Sequence, residues 1–143
     1  MIPIRGRSAA LTVGFLGWTI FVWGIVRVRN ILGDDALSTS SRNQSLLLSA
    51  TFWVPAVILA VAVGVSLVKK SPLASWVRIG LMGLAGWSVL VWIFRAVDIA
   101  LTSDRGAAFI AVHVVLGLIS IALAVLVVGE LRSSVEHRTT SPG

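Results

Sequence analysis

The chain contains no cysteine. That one absence removes disulfides, thiolate catalysis and every cysteine-ligated metal or iron–sulfur site. Histidine is nearly as scarce, with only His113 and His137. His137 falls in the polar C-terminal stretch, so a bis-histidine haem within the apolar sequence has one candidate ligand per chain, and a zinc site lacks ligands for the same reason. Charge is also sparse: Asp, Glu, Lys and Arg make up 13% of the residues, against about 25% in soluble proteins. There is no Ser/His/Asp spacing with supporting context, no glycine-rich phosphate loop and no long amphipathic surface helix. Asp34 and Asp35 are neighbours whose side chains project differently, which is poor geometry for a carboxylate pair. The expectation is a protein without a cofactor or metal, and not an enzyme.

What the chain does have is apolar sequence, 57% of its 143 residues with a mean hydropathy of +0.95. These values describe an integral membrane protein, and they leave no stretch for a soluble domain. Ser8 to Val26 runs without a charge. At ~1.5 Å per residue that is about 28 Å, enough to cross a hydrocarbon core of about 30 Å. No small-residue cleavage site follows it, so it reads as an uncleaved signal anchor. Asn30 to Ser45 is rich in Gly, Asp, Ser and Asn and reads as a solvated loop. Leu46 to Val68 is the second span, containing Pro55 and ending at Lys69 and Lys70. The third begins near Leu73 after a short proline-containing connection, and the fourth is the uncharged stretch Gly106 to Gly129.

The expected fold is therefore all-α: one transmembrane domain of four helices, approximately 8–29, 46–68, 73–101 and 106–130, in an up-down-up-down bundle. Residues 131–143 read as a disordered cytoplasmic tail. Four spans put both flanks on one side. Arg5, Arg7, Lys69, Lys70, Arg78, Arg132 and Arg138 lie on that face, against Arg27, Arg29, Arg42, Arg95 and Arg105 on the other, so the positive-inside rule places the flanks in the cytoplasm. Heavy use of Ala, Val, Gly and Arg suggests a GC-rich bacterial gene, hence the inner membrane. The net charge of +6 flanks apolar runs, where it meets lipid headgroups rather than nucleic acid.

The chain also repeats itself. Gly14, Gly17, Trp18 and Trp23 recur as Gly83, Gly86, Trp87 and Trp92, each 69 positions later. The pattern extends loosely, with Arg27 and Asn30 echoed by Arg95 and Asp98. This suggests tandem duplication of a two-helix hairpin, with the copies related by an axis near the membrane normal. The glycines, and a stripe of His113, Gly117, Ser120 and Ala124, are expected to serve helix contact within the chain or with a partner. Trp23, Trp53 and Trp92 read as an outer interfacial belt and Trp76 as an inner one, with Trp18 and Trp87 packed deeper.

The polar residues that look out of place lie between Gly86 and His113. Arg95 occurs before the third apolar run is finished, and an intramembrane arginine costs on the order of 2.5–3.5 kcal/mol unless it finds a partner. Asp98, three residues on, is the obvious one, with Asn30 and Asp104 as further candidates. Arg95, Asp98, His113, Arg27, Asn30 and Asp104 form the candidate polar cluster, either a salt-bridged structural network or a site for an ion, a proton or an anionic headgroup. The preferred functional expectation is a non-catalytic accessory, assembly or stabilising subunit of a larger inner-membrane complex. Its partners would be the bilayer, another membrane protein or a second copy, and anionic lipid headgroups. The competing class is a small transporter or channel with a proton or anion site at Arg95, Asp98 and His113.

Overall fold

The computed structural model describes residues 6–102 and 106–139, with side chains described up to residue 133. Within them the chain is all-helical, and four stretches are long and apolar enough to cross a membrane: Gly6–Leu32, Thr39–Val68, Ser75–Leu101 and Ala107–Ser133. The chain divides into two compact units, Met1–Gly80 and Leu81–Gly143.

In the first unit, α1 (Gly6–Thr19), a π-helical segment (Ile20–Val26) and α2 (Arg27–Leu32) form one continuous span packed on α3 (Thr39–Val68). The π turn is visible in the Arg27 N–H, which donates to the Val22 carbonyl five residues back. Here the span lies close against α3. A Cβ on Gly24 would lie 3.2 Å from Trp53 Cβ, so a side chain there would force the helices apart. One residue earlier, Trp23 stacks flat on Phe52, with ring centroids 4.0 Å apart and planes 4° from parallel. Nothing in the apolar pattern announces the extra residue in this turn.

The connection to α3 is shorter than expected. It covers residues 33–38, because α2 continues to Leu32 and α3 begins at Thr39. The serine-rich stretch that reads as loop is instead a helix start. Ser38 Oγ accepts from the Ser41 N–H at 3.2 Å, satisfying one of the free donors of the first turn. Asp34 tightens the turn, its Oδ1 accepting from Ala36 N–H at 3.0 Å, while Arg42 Nη2 donates back to the Asp34 carbonyl at 2.9 Å. Pro55 remains inside α3.

At its other end α3 closes in a Schellman motif. Lys70 N–H donates to the Leu67 carbonyl at 3.2 Å and Ser71 N–H to that of Ser66 at 2.9 Å. Lys70 therefore takes the left-handed conformation, φ 51°, at a position that usually carries glycine.

α4 (Ser75–Leu101) and α5 (Ala107–Thr139) follow. The first turns of α4 belong to the first unit, where a Cβ on Gly80 would come within 2.8 Å of Leu59 Cδ2. From Leu81 onward α4 belongs to the second unit with α5. There Trp92 lies against Gly117, and a Cβ on that glycine would sit 3.0 Å from Trp92 Cε3. α5 is helical to Thr139 rather than to about 130, since no proline or glycine interrupts residues 130–139. The part of the expected tail from 131 to 139 is thus helix, and residues 140–143 lie outside the described ones.

Four of the five buried hydroxyls, all but that of Ser88, satisfy themselves. Thr12, Thr19, Ser49 and Ser120 each donate to the carbonyl four residues back, at 2.7–3.0 Å. In a bilayer such a bond removes a polar group that lipid could not solvate. None of these four therefore has to seek a neighbouring helix.

Tryptophan placement departs from the expectation. Trp23 and Trp92, expected at an interface, are only 4% and 6% exposed, whereas Trp87, expected to be packed, is 37% exposed. The reason is local: Phe52 and Gly117 offer flat partners to the first two, and Trp87 falls on the open side of α4.

Candidate functional site

A cleft of about 410 Å³ opens between α4 and α5 in the second unit. Its polar lining comes from Arg95, Thr102 and His113, and its apolar walls include Ile99, Ile110, Val114, Leu118 and Ile121. Trp92 and Gly117, the pair that sets the helix spacing, line it too. Arg95 lies six residues before the end of α4 and His113 six residues after the start of α5. Both are about 9 Å from those ends at ~1.5 Å per residue. The match in depth along the sequence thus becomes a shared site.

His113 is fixed by its own helix. Its Nδ1 lies 2.9 Å from the Phe109 carbonyl oxygen, and its ring stacks on Phe109 with centroids 3.9 Å apart. A carbonyl only accepts, so Nδ1 donates to it and Nε2 is left for another partner. Among the described residues, Arg95 makes no side-chain hydrogen bond or ion pair, and neither does Nε2 of His113.

The expected Arg95–Asp98 salt bridge does not form. Asp98 is half-buried on α4, does not line the cleft, and has no ion pair among the described residues. Spacing of three along a helix brings two side chains within reach, but Arg95 turns to the groove beside α5 and leaves its neighbour. The rest of the cluster disperses. Arg27, in the first unit, has its guanidinium carbon 5.2 Å above the Trp23 ring centroid, a cation–π contact within one helix. Asn30 is exposed one turn further on. Asp104 lies outside the described residues. Sequence reasoning misses Thr102, because a lone threonine at a helix end carries no signal.

A second groove in the same unit, about 470 Å³, is apolar apart from Arg132 at one end, and is lined by Gly86 and Gly129 among others. Glycines fall into two groups. At Gly24, Gly80 and Gly117 a Cβ would come within 3.2 Å of another residue of the chain. Gly14, Gly17, Gly83 and Gly86 are exposed, and a Cβ at each would meet nothing within 4 Å.

The burial pattern repeats with the sequence. Thr12, Phe15, Leu16, Thr19, Val22 and Trp23 are buried in the first span, and so are Leu81, Leu84, Ala85, Ser88, Val91 and Trp92, each 69 positions later. In α3 the buried set is Ser49, Phe52, Ala56, Leu59 and Val63. In α5 it is Gly117, Ser120, Ala124, Val127 and Leu131, each 68 positions later. No protein-family model, curated protein or solved structure matches this chain.

Proposed function

We propose that this protein is a non-catalytic accessory or assembly subunit that works by packing its helices against another membrane protein. The observation that carries this reading is the open group of glycines. Each glycine in a helix interior costs about 1 kcal/mol relative to alanine, and small residues in lipid serve close helix approach. Gly14 and Gly17 serve no close approach within the first unit, nor Gly83 and Gly86 within the second, and a partner's helix is the use this reading gives them.

The same positions support tandem duplication. Here the burial phase agrees at the offset already marked by Gly-x-x-Gly-Trp and Trp92, and the α3/α5 stripes agree within one residue of it. Both copies present the same exposed face, Gly14, Gly17 and Phe21 in one and Gly83, Gly86 and Leu90 in the other. A duplicated hairpin with two open glycine faces suits a scaffold with two equivalent helix-docking edges. The charge distribution favours a bacterial inner membrane with both flanks of the four spans cytoplasmic.

The test is affinity purification of the full chain in mild detergent, with the bound proteins identified. A stoichiometric membrane partner is expected, lost when leucine replaces Gly83 and Gly86 or Gly14 and Gly17, while the variant itself stays helical and membrane-inserted. Recovery of the wild type as a clean monomer or self-oligomer would overturn the reading.

A further inference from the structure

We infer that the α4/α5 cleft holds one anionic glycerophospholipid, its phosphate on Arg95, its headgroup hydroxyl on His113 Nε2 and one acyl chain along the apolar wall. The inference rests on different residues from the association reading.

The first ground is depth. The cleft runs from Thr102, at the end of α4, past Trp92 and Gly117 to Ile121. Trp92 is nine residues from the end of its helix and Gly117 ten from the start of its own. At ~1.5 Å per residue both are about 15 Å down, half of a ~30 Å hydrocarbon core. Ile121, fourteen residues into α5, carries the groove to about 21 Å at the same rise, so it spans one leaflet and the start of the next. At ~30 Å³ for a water-sized group, 410 Å³ takes on the order of a dozen methylene-sized units.

The second ground is charge. Arg95 has no anionic partner among the described residues, and an arginine beside hydrocarbon needs one. Arg95 lies six residues from the end of α4, about 9 Å at ~1.5 Å per residue, and a long arginine side chain can snorkel over that depth toward lipid phosphates. A planar guanidinium binds two phosphate oxygens at once. Free phosphate fits less well: the walls beyond Arg95 are isoleucine, valine and leucine, which strip water from an ion and return no hydrogen bonds.

The third ground is the histidine. With Nδ1 committed to Phe109, Nε2 faces no protein hydrogen-bond partner among the described residues, and a hydroxyl can serve it as donor or acceptor. A lipid such as phosphatidylglycerol supplies both a phosphate and an O–H; phosphatidylcholine supplies the phosphate under a compensating cation and no O–H.

The experiment uses the full chain in nanodiscs of equal phosphatidylglycerol and phosphatidylcholine, with the lipids retained on the released protein counted by native mass spectrometry. Phosphatidylglycerol is expected to exceed phosphatidylcholine about tenfold, as one charge-assisted hydrogen-bonded pair implies. Arg95→Gln should bring the ratio near one, and Arg29→Gln, at an exposed arginine of α2, should leave it unchanged. Equal retention in the wild type, an equal loss in both variants, or displacement of the lipid by excess inorganic phosphate would overturn the assignment. A second readout leaves Arg95 intact: in a variant whose other five tryptophans are phenylalanine, brominated phosphatidylglycerol should quench Trp92 emission more than brominated phosphatidylcholine does, and equal quenching would also overturn it.

Discussion

Replacing Gly117 by alanine tests whether the spacing of α4 and α5 is set by the Trp92 ring. The new Cβ would lie 3.0 Å from Cε3 and 3.6 Å from Cδ2 and Cζ3 of that ring. Favourable carbon contacts begin at about 3.5 Å, so the methyl intrudes by roughly half an ångström. Trp92 is 6% exposed, and an indole cannot fold away from a contact as a leucine tip can. Overpacking of this kind costs about 1–3 kcal/mol. It is offset by the gain of about 1 kcal/mol in helix propensity for glycine to alanine. Gly129→Ala supplies the reference, because it makes the same change on the same helix where a Cβ meets nothing within 4 Å. The propensity gain cancels between the two variants, and Gly117→Ala is expected to be the less stable by about 1–3 kcal/mol. Denaturant titration in detergent micelles, followed by far-UV circular dichroism, measures the difference. If the two variants agree within about 0.5 kcal/mol, the usual scatter for changes that touch nothing, the close approach described for α4 and α5 is wrong.

Two further outcomes follow from the helix ends. Lys70→Gly removes a left-handed side chain from the Schellman motif and should raise stability by about 1 kcal/mol, read by the same titration; a loss would show that the lysine makes a contact stronger than its strain. The absence of native cysteine makes topology directly readable. A single cysteine at Ser38 should react with a membrane-impermeant maleimide added to intact cells, and one at Ser71 should react only after the membrane is opened; the reverse pattern would invert the assigned orientation.

The number of spans was legible in the sequence, because a bilayer admits only long apolar helices with internally satisfied backbones. Helix ends were less so. Residues 38–41 read as loop because the same hydroxyls that favour turns also cap helices, and only the bond from Ser41 N–H to Ser38 Oγ decides between them. The shared depth of Arg95 and His113 could be counted along the chain. That Arg95 leaves Asp98 for the groove beside α5 could not, since neighbours on one helix are set by spacing, while the choice among them is set by the element packed alongside. Glycine shows the division most plainly. The Gly-x-x-Gly spacing is a property of the sequence, identical in both halves. Which glycines are filled, Gly24, Gly80 and Gly117, and which stand open, Gly14, Gly17, Gly83 and Gly86, depends on where a second helix passes. Hydropathy is a sum along one segment and survives without a fold, whereas close approach is a property of two segments and exists only once they have packed.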